Sequence, residues 1–269
     1  MKQFIKNLIP PVLFNLIQNY RNRKYGWFGN YATWENAKKA SSGYATDEIL
    51  QKVRTSLLKV KNGEAVYERD SVLFNEIHYS WPLLSGLMLT AAKSGGNLRV
   101  LDFGGSLGST YYQNKKFLDP LNSVSWSVIE QKHFVDVGKK KFADERLYFY
   151  DDIKSCIQEQ TPNVLVLSSV LQYIEKPYEL LDELLKHDFQ FVLFDRTPFS
   201  SNNQDRITLQ IVPSMIYSAS YPCWLFDENR FKKYFENNGY QNIEIFNALD
   251  GASSKYQFKG YIMQKIKNV

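Results

Sequence analysis

Cysteine, histidine and methionine are scarce in this chain of 269 residues, with two, three and four copies. Cys156 and Cys223 have no Cys-x-x-Cys or His-x-x-x-His spacing around them. That excludes a disulfide framework and a zinc site, and the two read as reduced thiols of a cytosolic protein. His78, His133 and His187 are too scattered to ligate a metal, so none is expected. No run approaches the ~18 consecutive apolar residues of a membrane span. Acids are missing from one place. Residues 1–24 contain Lys2, Lys6, Arg21, Arg23 and Lys24 but no Asp or Glu. The whole chain has 33 Lys+Arg against 28 Asp+Glu, so this segment carries the entire net charge of +5 and the rest is balanced. A nucleic-acid binder spreads its basic residues over a folded face, and that class is excluded here.

What is present is an ordinary core-forming composition, 44% apolar and 15% aromatic. A chain of this length buries roughly 70–75% of its unfolded surface without staples. The apolar stretch Leu8–Ile17 is interrupted by Pro10, Pro11 and Asn15 and followed by Arg21, Arg23 and Lys24, which is not the pattern of a signal peptide. Pro11 suits a first helical position, and Val12, Leu13, Leu16, Ile17 and Tyr20 share one helical face. Two readings stay open for residues 11–24: a helix docked on its own domain, or a membrane-surface helix whose cations meet anionic lipid.

Further along, the pattern predicts helices at Trp34–Lys39, Thr46–Lys61 and Asp70–Lys93, the last kinked at Pro82. After Gly95-Gly96 the pattern becomes an alternation. Apolar strand-type runs at Leu98–Phe103, Ser125–Ile129, Leu147–Tyr150, Val164–Ser168 and Phe189–Phe194 are mostly separated by helical stretches at Ser109–Leu118, Phe134–Phe142 and Pro177–Lys186. Near-continuous apolar strands between helices predict a parallel sheet covered on both faces. At the tail, a helix at Asp227–Asn238 precedes Asn242–Asn247 and Tyr256–Lys265, which have no helix between them and should pair antiparallel. The expectation is a doubly wound α/β fold over 97–269 with a helical N-terminal extension over 1–96.

The first strand runs into Asp102-Phe103-Gly104-Gly105-Ser106-Leu107-Gly108-Ser109. Glycines there let a ligand approach the backbone, and a helix start offers unpaired N–H groups. A dinucleotide fingerprint fails in both registers, because Ser106 and Ser109, or Leu107 and Thr110, stand where glycines are needed. Acid-x-Gly-x-x-x-Gly suits a cationic sulfonium ligand with an amino-acid tail better than a pyrophosphate. Glu130 ends the second strand, where an acid accepts hydrogen bonds from ribose hydroxyls, or else it is a solvent-exposed strand end. Asp151 and Asp152 end the third, placed for an adenine amino group or as caps of the next helix.

These residues resemble a class I S-adenosylmethionine-dependent methyltransferase: VLDFGGSLG as the cofactor loop, IEQ after strand two, YDD after strand three and SSVLQYIEKPYELL around strand four. The resemblance departs from the common loop at Ser106, where a glycine usually stands, and Gln172 replaces a frequent histidine. A closer similarity is to a bacterial family of methyltransferases associated with polysaccharide and O-antigen biosynthesis. It is carried by YGWFGNYATWENA (25–37), YERDSVLF (67–74), DFGGSLGSTYY (102–112), SSVLQY (168–173), DRTPF (195–199) and SYPCWLF (220–226). The resemblance implies a Rossmann-like, seven-stranded, mostly parallel sheet with an antiparallel last strand. It implies S-adenosyl-L-methionine as cofactor and S-adenosyl-L-homocysteine as product. The cofactor would lie against Asp102, Gly104, Gly105, Ser106, Gly108, Glu130, Gln131, Asp151, Asp152, Ser168 and Ser169. The acceptor is a small molecule or glycan, anionic or lipid-linked among the options.

Methyl transfer to an alcohol needs a base, and ligands of open α/β sheets lie beyond the carboxyl ends of the strands. The candidate bases are therefore Asp195 and His133. Gln172, Tyr173 and Arg196 are the candidate acceptor contacts, with Arg196 gripping a phosphate or carboxylate or else forming a structural ion pair. Tyr221 and Trp224, in an aromatic loop, either stack a sugar or plug the sheet edge. Tyr67, Glu68, Arg69 and Asp70 fold over the cofactor or cap the helix that follows. Three functions compete: a methyltransferase; a non-catalytic scaffold of the same fold in a glycan-assembly complex; and an oxidoreductase, which the failed fingerprint disfavours. The expected site of action is the cytoplasm, with residues 11–24 touching the inner face of the membrane if they bind lipid. Deleting residues 1–24 should leave cofactor affinity intact and abolish association with anionic liposomes. A full-length chain that ignores such liposomes reduces that segment to packing.

Overall fold

The computed structural model describes residues 24–43, 46–213 and 219–266. The helix expected at 11–24, Lys24 excepted, and the start of the aromatic loop at Tyr217 lie outside these residues. In chain order the first elements are β1 (Gly26–Tyr31), α1 (Trp34–Lys39), α2 (Thr46–Lys61), β2 (Tyr67–Arg69), β3 (Val72–Phe74) and α3 (Trp81–Lys93). Next come β4 (Asn97–Phe103), α4 (Ser109–Leu118), β5 (Ser123–Ile129), α5 (Lys132–Lys141), β6 (Leu147–Tyr150), α6 (Ile153–Gln160), β7 (Val164–Ser168) and α7 (Pro177–Leu184). The last are β8 (Phe191–Ser200), β9 (Arg206–Ile211), β10 (Ser220–Leu225), α8 (Glu228–Asn237), β11 (Tyr240–Ala252) and β12 (Tyr256–Lys265).

The chain divides into two compact units: Thr46–Arg206 with Trp224–Val269, and Met1–Ala45 with Ile207–Cys223. This division does not coincide with the boundary expected at 96/97. The larger unit holds a seven-stranded sheet in the order β11-β12-β8-β7-β4-β5-β6. β6, β5, β4, β7 and β8 are mutually parallel, and β12 runs antiparallel to both β8 and β11. The strands are apolar on both faces, as a sheet covered twice requires: Val100, Leu101, Val166, Leu167, Val192 and Leu193 are all buried. The expected parallel core and closing hairpin are therefore present. The smaller unit holds an antiparallel sheet, β1-β9-β10, which the sequence reading did not anticipate.

Three local expectations are corrected. No helix starts at Asp70. Asp70 and Ser71, both left-handed (φ 52° and 69°), turn β2 back into β3. Two successive positive φ values make the tight hairpin turn whose twist matches paired strands, and aspartate is among the side chains that tolerate it. Pro82 does not kink a helix but opens one, in the first turn of α3, where its missing N–H has no partner to lose. Residues 195–197, expected beyond the end of a strand finishing at Phe194, lie within β8, and 221–224, expected as a loop, lie in β10. The helix that Asp151 or Asp152 was expected to cap is α6, and Asp152 is the cap, accepting the Ser155 N–H at 2.8 Å.

Much of the aromatic content is core. Phe231 of α8 is fully buried and meets Phe194, Phe199, Phe226, Phe235 and Tyr261 with ring centroids 5.0–5.9 Å apart. Most of these contacts are edge-on or tilted, the arrangement that ring quadrupoles favour. Helix α8 is positioned for this by Asp227, whose carboxylate accepts the N–H groups of Asn229 and Arg230. Phe231→Ala is expected to lower the stability of the larger unit by ~3–5 kcal/mol, read as a lower urea midpoint at unchanged slope.

Candidate active site

The parallel register brings a set of side chains to one edge of the sheet. Phe103 aligns with Ile129, Ile129 with Tyr150, and Ser168 with Asp195. Asp102, Glu130, Asp151 and Ser168 thus share the carboxyl end of four strands, level with Asp195 in the middle of β8. Beyond β4 the chain turns sharply. Gly104, Ser106 and Gly108 are all left-handed, and the Gly108 N–H bonds the Gly105 carbonyl at 3.0 Å. Glycine is required by space as well as angle. A Cβ on Gly104 would strike Val170, and one on Gly105 would sit 2.5 Å from the Asp102 carboxyl carbon. No side chain caps the start of α4, so its first N–H groups stay open to a ligand.

Asp102 is buried and accepts the Trp126 indole N–H at 3.0 Å. Burial pushes its carboxyl up to about 7, with the charge of Glu130 adding to the rise and the Trp126 bond opposing it. Glu130 accepts the Gln131 N–H at 2.8 Å. Its carboxyl too is raised by burial, with the Gln131 and Ser106 backbone N–H groups opposing the rise. Gln131 is exposed and precedes α5. His133, one turn on, has a buried Nε2 with no partner among the described residues. Asp151 is exposed and lies 3.9 Å from the Lys132 ammonium, while Asp152 is engaged as the α6 cap.

After β7, Ser169 is left-handed, its N–H bonded to the Asp195 carbonyl at 3.0 Å. Tyr173 closes a short 3-10 turn that also contains Gln172. β8 carries a bulge at this level. Phe194 pairs with Tyr261 and Thr197 with Lys259, so Asp195 and Arg196 together face Gly260. Arg196 has φ 57°. The bulge breaks the strict alternation expected of neighbouring strand residues. Asp195 is buried and accepts its neighbour's N–H at 2.9 Å. Burial raises its carboxyl to about 6, with the Arg196 charge pulling the other way.

Arg196 does not offer a free guanidinium. Nε and a terminal nitrogen bond Asp250 at 2.8 and 2.9 Å, and the terminal nitrogens bond Asp70 at 2.6 and 3.4 Å. The structural reading is the one found, because both carboxylates already match the guanidinium's planar fork. Trp224 donates its indole N–H to the carbonyls of Ile174 and Glu175 and stacks near Phe226. Tyr221 is buried and belongs to the smaller unit.

Glu68, expected to fold over the cofactor or to cap the following helix, does not cap a helix. It is buried at 2% exposure, accepting the Ser109 hydroxyl at the start of α4 and the Ser71 N–H, each at 2.6 Å. Burial raises its carboxyl to about 7. The YERD run was the available signal, but only the hairpin turn shows that it folds back toward the glycine turn and not onto the following helix. Among the described residues no cluster of side chains could hold a metal ion.

No family model matches the chain, and no curated protein does. Among solved structures, the N-terminal domain of EvdMO1, crystallised in the presence of S-adenosylhomocysteine and D-fucose, is 11% identical. The match covers 83% of this chain and 98% of that one, with a TM-score of 0.50. The chain has the class I methyltransferase fold. Two further structures align less closely. Magnesium protoporphyrin IX methyltransferase from Synechocystis, with bound S-adenosylmethionine, is 11% identical over 69% of this chain and 78% of that one, at TM-score 0.45. The 1,6-didemethyltoxoflavin-N1-methyltransferase of Burkholderia thailandensis, with S-adenosylhomocysteine, is 11% identical over 84% and 92%, at 0.44.

The raised Asp102 carboxyl makes a stability prediction. A carboxyl whose folded value exceeds its unfolded one binds its proton more tightly when folded, so its contribution falls as pH rises from about 4 to about 7. Asp102→Asn keeps an acceptor for Trp126 without the charge. It should raise the melting temperature at pH 8, by about 2–4 °C per kcal/mol recovered, and leave it unchanged at pH 4. Loss of stability at both pH values, by circular dichroism, would show that the carboxylate itself is needed.

Proposed function

We propose that this protein is an S-adenosylmethionine-dependent methyltransferase that O-methylates a sugar or another small acceptor in cell-surface polysaccharide synthesis. The observation that carries the reading is the glycine turn beyond β4, which Gly104 and Gly105 keep clear of side chains. Register places Glu130 just past the end of the adjoining strand β5. The residues fit the cofactor's chemistry: unpaired N–H groups for its amino-acid carboxylate, and buried acids beside a cationic group. Asp102, Gly104, Gly105, Ser106, Gly108 and Glu130 would hold it, with Gln131, Asp151, Ser168 and Ser169 on the rim. When bound, it supplies an electrophilic methyl group on a sulfonium.

Asp195 is the proposed base, and His133 the weaker candidate. Asp195 would take the proton of an acceptor hydroxyl as that oxygen took up the methyl group, which would leave the cofactor as neutral S-adenosylhomocysteine. The protein's main contribution is alignment, which for well-oriented groups supplies ~7–11 kcal/mol. D-fucose in the EvdMO1 crystal favours a sugar acceptor, and so does the resemblance to polysaccharide-linked methyltransferases. Among the described residues no helix is long and apolar enough to cross a membrane. The proposed location is cytoplasmic, with residues 11–24 as the contact to the membrane where lipid-linked glycans are assembled.

Calorimetric titration with S-adenosylmethionine tests the reading, and an absence of binding removes it. Asp195→Asn should leave that affinity unchanged and lower turnover by at least ~100-fold, the usual scale of a lost general base. A base works deprotonated, so wild-type turnover should fall as pH drops through about 6. Turnover that is flat to pH 5, or retained in the variant, takes the role from Asp195.

A further inference from the structure

Ser109 is the first residue of α4 and lies half-buried beside the glycine turn. Its hydroxyl is donated to Glu68 Oε2 at 2.6 Å. The other Glu68 oxygen, Oε1, accepts the Ser71 N–H, also at 2.6 Å. A hydroxyl has one proton, and this one is committed to a buried carboxylate. Among the described residues no group donates to the Ser109 oxygen in turn. A ligand beside Ser109 therefore meets an oxygen that can only accept.

The place of this oxygen gives its lone pairs a use. The start of α4 has no side-chain cap, so its open N–H groups attract a carboxylate, while the positive end of the helix repels a cation. In an α-amino acid the ammonium and the carboxylate are bonded to the same carbon. A tail whose carboxylate lies on those N–H groups thus brings its ammonium alongside them. Holding both ends takes an acceptor and a negative charge at one place. Ser109 supplies the acceptor, and Glu68 supplies the charge. The cations of the hairpin region are engaged elsewhere: Arg69 lies over the Phe74 ring at 5.6 Å, and Arg196 is divided between Asp70 and Asp250. Asp102, the other acid at the turn, is 1% exposed and carries the Trp126 N–H.

We infer that the Glu68–Ser109 pair selects the α-ammonium group of the cofactor's amino-acid tail. Ser109 Oγ accepts from the ammonium. Glu68 is a positioning residue, which acts by fixing the direction of the Ser109 proton. The inference rests on the methyltransferase reading, to which it adds two residues and a discrimination. One substitution reverses the arrangement without removing it. In Glu68→Gln the Ser71 N–H, which only donates, holds the amide oxygen, so the amide nitrogen faces Ser109 and donates to it. The Ser109 proton then turns outward, and donor meets donor at the ammonium.

The test is calorimetric titration of the full chain at pH 8, where the Glu68 carboxyl, raised by burial to about 7, is largely ionised. The two ligands are S-adenosylhomocysteine and its analogue with hydrogen in place of the α-amino group. The wild type should bind S-adenosylhomocysteine at least ~10-fold more tightly than the analogue, the scale of one hydrogen bond to a charged group. Glu68→Gln should remove that preference by weakening S-adenosylhomocysteine alone, with the analogue's affinity unchanged. Ser109→Ala should do the same, and it decides the matter if the glutamine variant fails to fold. A role in packing only would weaken both ligands equally and lower the melting temperature with them, and that result overturns the inference. So does a wild type that does not distinguish the two ligands, or variants that keep the preference. If neither ligand binds the wild type, the methyltransferase reading falls and takes the inference with it. Binding of both without discrimination overturns the inference alone.

Discussion

Arg196 stands in the interior of a strand with a left-handed backbone, a conformation that costs a non-glycine residue ~1–2 kcal/mol. It persists because the surroundings overdetermine it. Asp70 holds the guanidinium from a hairpin turn 126 residues away, and Asp250 holds it from β11, 54 residues away. Gly260 on the neighbouring strand leaves no room for a side chain, since a Cβ there would meet the Phe246 ring and the Phe194 carbonyl oxygen. Everything at the end of β8 follows from this arrangement. Asp195 turns inward against its neighbour's N–H, Gln172 takes the carbonyl, and the β2–β3 hairpin is drawn to the strand ends. Through Glu68 and Ser109 that hairpin is also tied to the helix that follows the glycine turn.

The acids along this edge have a common physical character. Asp102, Glu130, Asp195 and Glu68 all have carboxyls raised mainly by loss of solvent, and none is neutralised by a lysine or arginine of its own. A fold would gain stability by exposing such groups or replacing them with amides. Keeping several together makes sense where a cationic or hydroxyl-rich ligand replaces the water.

How much of this was legible in the sequence differs by element. β6, β7 and β12 were placed to the residue by their apolar runs, and the glycine turn by its spacing. Those features are local. The periodicity at 70–93 misled because a hairpin of three-residue strands is too short to show alternation, while Pro82 is as compatible with a helix start as with a kink. The pairing of Arg196 was out of reach: its carboxylates come from segments on either side, and nothing in DRTPF distinguishes a clamped guanidinium from a free one. The bulge was hidden for a related reason, since it is defined by the register of β12 and not by β8 itself. Asp152 gave a signal that was noticed but left open, because a cap and a ligand group look the same until the helix behind it is known.

The three-stranded sheet β1-β9-β10 joins parts of the chain that lie far apart: β1 pairs with β9 in antiparallel register, Gly26 opposite Ile211. Residues 207–223 are thus an excursion between the fifth and sixth strands of the seven-stranded sheet in chain order, β8 and β11, and their outer strand is supplied from the other end of the chain. A minimal catalytic unit cannot be made by trimming the N-terminus alone. Cutting at residue 45 would strip β9 of one of its two neighbours and expose a row of unpaired backbone groups, the kind of edge on which chains aggregate. Anyone shortening this protein must remove both pieces or neither.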